Sequence, residues 1–220
     1  MATDGPIPMT ETADLLALTQ WLSPAYPVGA FAWSHGMEAA IAAGDIHDPA
    51  TLADWLDALL RHGAGWSDAV LLAAAHRGED AAALAALATA LAPSRERRLE
   101  TREQGAAFAR TTAALEGGPP GPAPYPVAVG TAARRLSAPT GTVVSLYLHA
   151  VASNLVSAAV RFVPLGQTEG QRVLAGLAPL IERLAREAAE APVDALGGCA
   201  FRSDIAAMRH ETLTTRIFRS

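Results

Sequence analysis

The chain has 220 residues, half of them hydrophobic, which is enough for one sizeable core and makes a single domain the default expectation. Its net charge of −5 and its pI of about 5.7 argue against nucleic acid or an anionic membrane surface as a partner. All 17 basic residues are arginine, so the chain lacks the lysine that a standard P-loop nucleotide site requires.

Helical periodicity predicts an all-α, single-domain fold, a bundle of about ten helices. Alanine and leucine dominate, and aromatic residues make up only 5%, which favours helix over strand. Residues 1–12 and the glycine- and proline-rich stretch 117–125 are expected to be flexible, and Pro179 is expected to kink or divide its helix. The predicted helices span residues 14–21, 31–43, 49–62, 66–75, 80–91, 94–115, 127–136, 140–162, 168–190 and 203–213.

Two of these helices have unusual compositions. The helix over 140–162 approaches membrane-spanning length, but polar residues such as His149 and Asn154 interrupt it, so we expect a buried core helix and no membrane partner. The helix over 94–115 begins with alternating arginines and glutamates, a pattern typical of a solvated helix start.

The cysteine content and the first residues indicate a compartment. Cys199 is the single cysteine, so no intrachain disulfide is possible and a reducing environment fits best. Residues 1–12 contain Asp4 and Glu11 and lack the basic and apolar regions of a secretory signal peptide. We therefore expect a cytoplasmic location.

The break between the helices over 140–162 and 168–190 is tightly specified. Pro164 ends the first helix, and Gly166 permits a sharp change of direction. Thr168 and Gln171 have the spacing of a capping box that would start the next helix. An uncharged polar segment of this kind inside an alanine-rich chain indicates that the residues between the two helices have a function in addition to stabilising the fold.

Residue spacing alone reveals neither a metal site nor a catalytic centre. The six histidines lack the HExxH spacing, and Cys199 has no CxxC partner. One rival hypothesis remains open, a helical hydrolase or lyase with a single concave pocket. An enzyme of this kind would bring four side chains within a few ångströms, whereas a scaffold would leave them spread over an exposed surface; the four are His35, Glu38, His210 and Glu211.

Residues 214–220 form an unusual tail. Ile217 and Phe218 stand between Arg216 and Arg219, although a frayed terminus is normally polar. Such a tail docks either into the core of its own chain or into the groove of a partner, where aromatic and arginine side chains often dominate the binding energy.

Five segments, taken in order, resemble the F-type urease accessory proteins over nearly the whole chain. The most specific resemblance lies in the central segment, which ends Val-Pro-Leu-Gly-Gln-Thr-Glu-Gly-Gln, and in the last two segments. The five segments are residues 23–38, 92–96, 154–171, 204–211 and 216–220.

The resemblance implies an all-α homodimer that is not an enzyme and binds no cofactor stably. Members of this family bind a D-type accessory protein, called H in some systems, and the pair recruits a G-type GTPase to apo-urease. GTP binding and hydrolysis then drive nickel into the urease active site, so nickel is handled by the complex, and the separate GTPase supplies the P-loop.

The resemblance also implies roles for particular residues. Arg161 matches a basic residue linked to the GTPase, where it would act either on the transferring phosphoryl group or merely as a cation at a helix C-terminus. Gln167 and Gln171 would either line a polar passage or cap helix ends. Contact with the D-type protein is expected first at Met208, His210, Glu211, Arg216, Phe218 and Arg219, and second at Phe31, His35 and Glu38.

Overall fold

A computed structural model describes residues 12–117, 121 and 123–220. Over these residues the chain forms ten α-helices and two short 3-10 helices, which confirms the all-α prediction. Of the stretches predicted to be flexible, 1–12 and 117–125, residues 1–11, 118–120 and 122 lie outside the described residues. Tyr125, at the end of the second stretch, starts a helix and is only 7% exposed. The helices are α1 (Thr12–Trp21), α2 (Met37–Ala42), α3 (Pro49–His62), α4 (Ala64–Arg77), α5 (Ala81–Ala90), α6 (Arg95–Glu116), α7 (Tyr125–Ala133), α8 (Thr140–Val160), α9 (Gln167–Glu190) and α10 (Phe201–His210), with 3-10 turns at Ala30–Ala32 and Val193–Ala195.

Helix α4 is enclosed by its neighbours in the bundle. Every residue from Ala69 to Ala75 is at most 2% exposed, as expected for a helix that is apolar on all sides. Helices α3, α5, α7, α8 and α9 all pack against it, and α9 also lies along α8. One continuous hydrophobic core therefore joins the two halves of the chain, from Leu18 to Ala206.

Helix α8 has the length and mean hydropathy of a membrane span, 1.6 over its most apolar window. Half of that window is nevertheless buried inside the bundle, which is the arrangement of a core helix. Val143, Leu148 and Ala152 have no exposed surface, in agreement with the sequence-based expectation.

The prediction of one helix over 31–43 is wrong, because the backbone is not helical in the middle of this range. A 3-10 turn at Ala30–Ala32 is followed by a non-helical stretch, and α2 starts only at Met37. His35 and Gly36 both have positive φ angles, 54° and 77°, which no helix contains. A Cβ on Gly36 would lie 2.4 Å from the backbone nitrogen of Ala207, so glycine allows this turn to contact α10 directly.

Helix α9 differs from its prediction at two points. It starts at Gln167, and Glu169 accepts a hydrogen bond from the Gly166 N–H at 3.2 Å, the reciprocal bond that the sequence had suggested for Thr168 and Gln171. It also continues through Pro179 without division. Pro179 is exposed, so the carbonyl that loses its helical donor can bond to water.

Candidate functional site

The tail folds back onto its own chain. The Arg219 N–H donates to the Ala32 carbonyl at 2.8 Å, and the Ser34 N–H donates to the Ser220 carbonyl at 2.8 Å. The Phe218 side chain is only 5% exposed, and its ring centroid lies 5.0 Å from that of Phe162. Of the two docking modes that the sequence leaves open, the described conformation is therefore docking into the chain's own core.

Glu38, at the start of α2, holds this tail in place. Its carboxylate accepts hydrogen bonds from the N–H groups of Ile217 and Phe218, each at 2.9 Å. Burial favours a higher pKa for Glu38, but these two N–H donors and His210 outweigh it and lower the pKa below the ordinary value of 4.5. The ionised carboxylate is the form that clasps the tail.

His210, the last residue of α10, lies fully buried between two carboxylates. Its Nδ1 is 2.7 Å from Glu96 Oε2 and its Nε2 is 3.3 Å from Glu38 Oε2. Both carboxylates can accept from the ring only when each nitrogen carries a hydrogen. The Arg216 guanidinium also pairs with Glu96. The cluster thus joins α2, α6, α10 and the tail.

Glu211 and Arg219 connect α6 to the same region. Glu211 Oε1 accepts from the Arg95 N–H at 2.6 Å, so its side chain satisfies a free donor at the N-terminus of α6. The Arg219 guanidinium makes two bonds to Glu103, at 2.6 and 3.0 Å, and lies 4.4 Å from the ring centroid of Trp33.

His35 belongs to a different, deeper network. Its Nε2 is 3.0 Å from Glu100 Oε1, and the Arg97 guanidinium connects Glu100 to Asp68, which it reaches at 2.7 Å. Tyr147 of α8 donates to Asp68 at 2.8 Å. The network fixes the turn at His35 to α6, α4 and α8.

Opposite charges decide the ionisation of this network. Burial favours a higher pKa for Glu100, yet His35 and Arg97 lower it below its ordinary value. Burial likewise favours a lower pKa for Arg97, but the charges of Asp68 and Glu100 raise it. The Glu100 carboxylate and the Arg97 guanidinium therefore stay ionised inside the core because each compensates the other.

The four residues of the hydrolase or lyase hypothesis do not share a pocket. Glu38 and His210 touch, but His35 bonds to Glu100, and Glu211 caps α6. They are not spread over an open surface either, since both histidines are less than 10% exposed. Among the described residues, no group of three His, Cys, Asp or Glu side chains is placed to hold a metal ion.

Several predicted contact residues do reach the surface. Met208 is 52% exposed and Phe31 is 64% exposed. Ile205 and Ile217, which were not among the predicted contact residues, are 44% and 73% exposed. In contrast, the chain itself covers Phe218, His210 and His35, so a partner can meet them only if the tail moves. In the described conformation, these three buried side chains position the exposed residues next to them.

The turn between α8 and α9 presents the remaining candidates. Arg161, Gln167 and Gln171 are all exposed. Over the described part of the chain, Arg161 pairs with no carboxylate, and neither glutamine caps a helix end. Buried Val163 and Leu165 anchor the turn, and Phe162 contacts the tail through Phe218.

Sequence reasoning missed the acidic and basic residues at the start of α6. Glu96, Arg97 and Glu100 were expected in a solvated helix face, but they are only 5%, 7% and 2% exposed. The sequence did contain a sign of this burial. Arg97, Thr101 and Gln104 are spaced at the helical period from the apolar Phe108, so they lie on the same side of α6 as Phe108. A polar residue on the buried side of a helix is expected to have buried partners.

Comparison with known proteins gives a consistent result. The family model described as UreF matches residues 46–178. A urease accessory protein UreF of Cereibacter sphaeroides is 61% identical over 94% of this chain and 98% of its own length. Proteins of the same name from Roseobacter denitrificans and Rhodopseudomonas palustris are 51% and 47% identical, over 95% and 100% of this chain and 95% and 99% of their own lengths. The chain therefore belongs to the urease accessory protein UreF family.

Proposed function

We propose that this chain is a cytoplasmic, non-catalytic scaffold in nickel insertion, which bridges a D/H-type accessory protein and a G-type GTPase on apo-urease. Membership of the UreF family supports a role in urease maturation. The absence of lysine supports a division of labour, since the nucleotide-binding P-loop must then lie on another subunit.

The observation that carries the proposal is a set of exposed apolar side chains on two ordered elements. Ile205, Met208 and Ile217 expose large apolar side chains on α10 and the tail. Glu38 and His210 fix the backbone beneath them by hydrogen bonds. A surface that is ordered before binding loses less conformational entropy on association, so it suits a stable protein–protein contact. We assign this surface to the D/H-type partner.

The turn between α8 and α9 is the second proposed surface and faces the GTPase. The charge of Arg161 is not engaged by any described carboxylate, so it is available to an anionic group of a partner. A guanidinium can stabilise charge on a transferring phosphoryl group in trans, which would modulate the GTPase. We further propose a homodimer and transient handling of nickel by the complex as a whole.

A pull-down separates a contact surface from a structural role. We expect Met208→Glu combined with Ile217→Glu to leave the helical circular dichroism unchanged and to abolish capture of the D/H-type protein. Leu115→Glu is the matched control, because Leu115 is 61% exposed and lies at the C-terminal end of α6, outside the proposed surface. Undiminished capture by the double variant, or an equal loss in the control, would contradict the proposed surface.

A second measurement addresses the GTPase. Arg161→Ala should fold normally and still bind the D/H-type protein, but it should weaken recruitment of the GTPase in size-exclusion chromatography with GTP. Arg186→Ala, an exposed arginine on α9, serves as the control. Normal recruitment and normal urease activation by Arg161→Ala would remove this residue from the proposal.

A further inference from the structure

A groove of about 560 Å³ runs between the first turns of α6 and the tail. One wall is the exposed side of α6 and the other is the docked tail. The lining residues are Arg95, Glu96, Arg98, Leu99, Arg102, Arg216, Ile217, Phe218 and Arg219.

The groove is lined by five arginines and one glutamate. Two of these arginines are already paired with carboxylates outside the lining, Arg95 with Glu211 and Arg219 with Glu103. Glu96 is already occupied by His210 and Arg216. Arg98 and Arg102 are exposed and, over the described ranges of the chain, form no ion pair. Both sit one turn apart on α6, so they present a pair of unneutralised cations along one wall.

The groove also has an apolar part. Leu99 lies between the two arginines in sequence and is 42% exposed, and Ile217 on the opposite wall is 73% exposed. An occupant that fits both features carries carboxylates on either side of a large apolar side chain. The N–H groups at the start of α6 are not available to it, since Ser94 and Glu211 already accept from them.

We propose that this groove binds an acidic peptide segment of a partner protein, with one hydrophobic side chain entering between Leu99 and Ile217. Nucleic acid fits less well, because the groove is short and apolar in part, and the chain carries a net charge of −5 that repels a long polyanion. Acidic residues near Arg98 and Arg102 would speed association and fix the register, while the apolar contact would slow dissociation. This binding is a property of the purified chain and can be measured whatever its place in urease maturation.

The test uses the full chain and fluorescence anisotropy of a labelled synthetic peptide of glutamate and aspartate with one central leucine. We expect saturable binding that weakens with added salt. Arg98→Glu combined with Arg102→Glu should weaken binding by at least about tenfold, since two exposed charge pairs are lost and two repulsions are gained. Alanine at the same two positions should give a smaller loss in the same direction.

Three controls make the outcome decisive. Arg110→Glu, an exposed position about 12 Å further along the same helix, should leave binding unchanged. A peptide with serine in place of leucine should bind more weakly, and methyl signals of Leu99 and Ile217 should shift only with the leucine peptide. Absence of saturable binding, an equal loss in Arg110→Glu, equal binding of the serine peptide, or equal binding of a charge-matched single-stranded oligonucleotide would each overturn the proposal.

Discussion

Replacing Glu38 by alanine should release the tail from the body of the protein. The carboxylate accepts from the N–H groups of Ile217 and Phe218, each at 2.9 Å, and a hydrogen bond to a charged group contributes about 1.5–3 kcal/mol. Both N–H groups can bond to water once the tail opens, so we take the lower end of this range, about 1.5 kcal/mol, for each hydrogen bond. We therefore expect the free energy of tail opening to fall by about 3 kcal/mol.

Amide hydrogen exchange measures this opening directly. A loss of about 3 kcal/mol corresponds to exchange roughly a hundredfold faster at Ile217 and Phe218, while amides in the buried helix α4 should keep their protection. Glu103→Ala is the matched control, because its bonds to Arg219 are exposed and should contribute only about 0.2–1 kcal/mol. Unchanged exchange at residues 217 and 218 in Glu38→Ala would refute the view that this carboxylate holds the tail.

Three further predictions concern stability. Gly36→Ala should lower the thermal midpoint far more than Gly44→Ala, because both have positive φ but only Gly36 would place a Cβ 2.4 Å from the backbone of α10; equal losses in a thermal melt would contradict this contact. Arg97→Ala should cost about 3–5 kcal/mol in urea unfolding, since it strands two buried carboxylates, whereas the exposed Arg98→Ala should stay within about 0.5 kcal/mol. The folded-state pKa of Glu38 lies below 4.5, so wild type should have a larger free energy of unfolding than Glu38→Gln at pH 7. This difference should disappear as the pH falls through the lowered pKa, and a difference that persists in acid would argue against an ionised carboxylate.

Local periodicity was sufficient for most of the fold. In α3, Leu52, Trp55, Leu56 and Leu59 recur at the spacing of one helical face, and all four are at most 5% exposed. Asp48 and Ser94 cap α3 and α6 as side-chain acceptors, in agreement with their sequence context. Such features depend on neighbours within a few residues, which a single sequence displays.

The site depended on contacts that the sequence does not display. Glu38 meets Phe218 across 180 positions, and His210 meets Glu96 across 114. The sequence identified the tail as unusual but left its docking partner open, because nothing local distinguishes a groove on the same chain from one on another. The break at His35 was missed for a related reason, since the network around Glu100 that fixes this turn comes from distant helices.

The contact between Phe162 and Phe218 has a consequence for assembly. Phe162 directly follows Arg161, and the hydrogen bonds of Glu38 hold Phe218 in place, so this aromatic pair connects the tail to the turn that carries Arg161. A protein that captured the tail and displaced Phe218 would remove the support on one side of the turn that carries Arg161. Thermodynamic reciprocity then requires that a partner bound at either proposed partner surface change the affinity of the other surface by the same factor. The order in which the partners bind would therefore alter the rate of assembly but not the stability of the final complex.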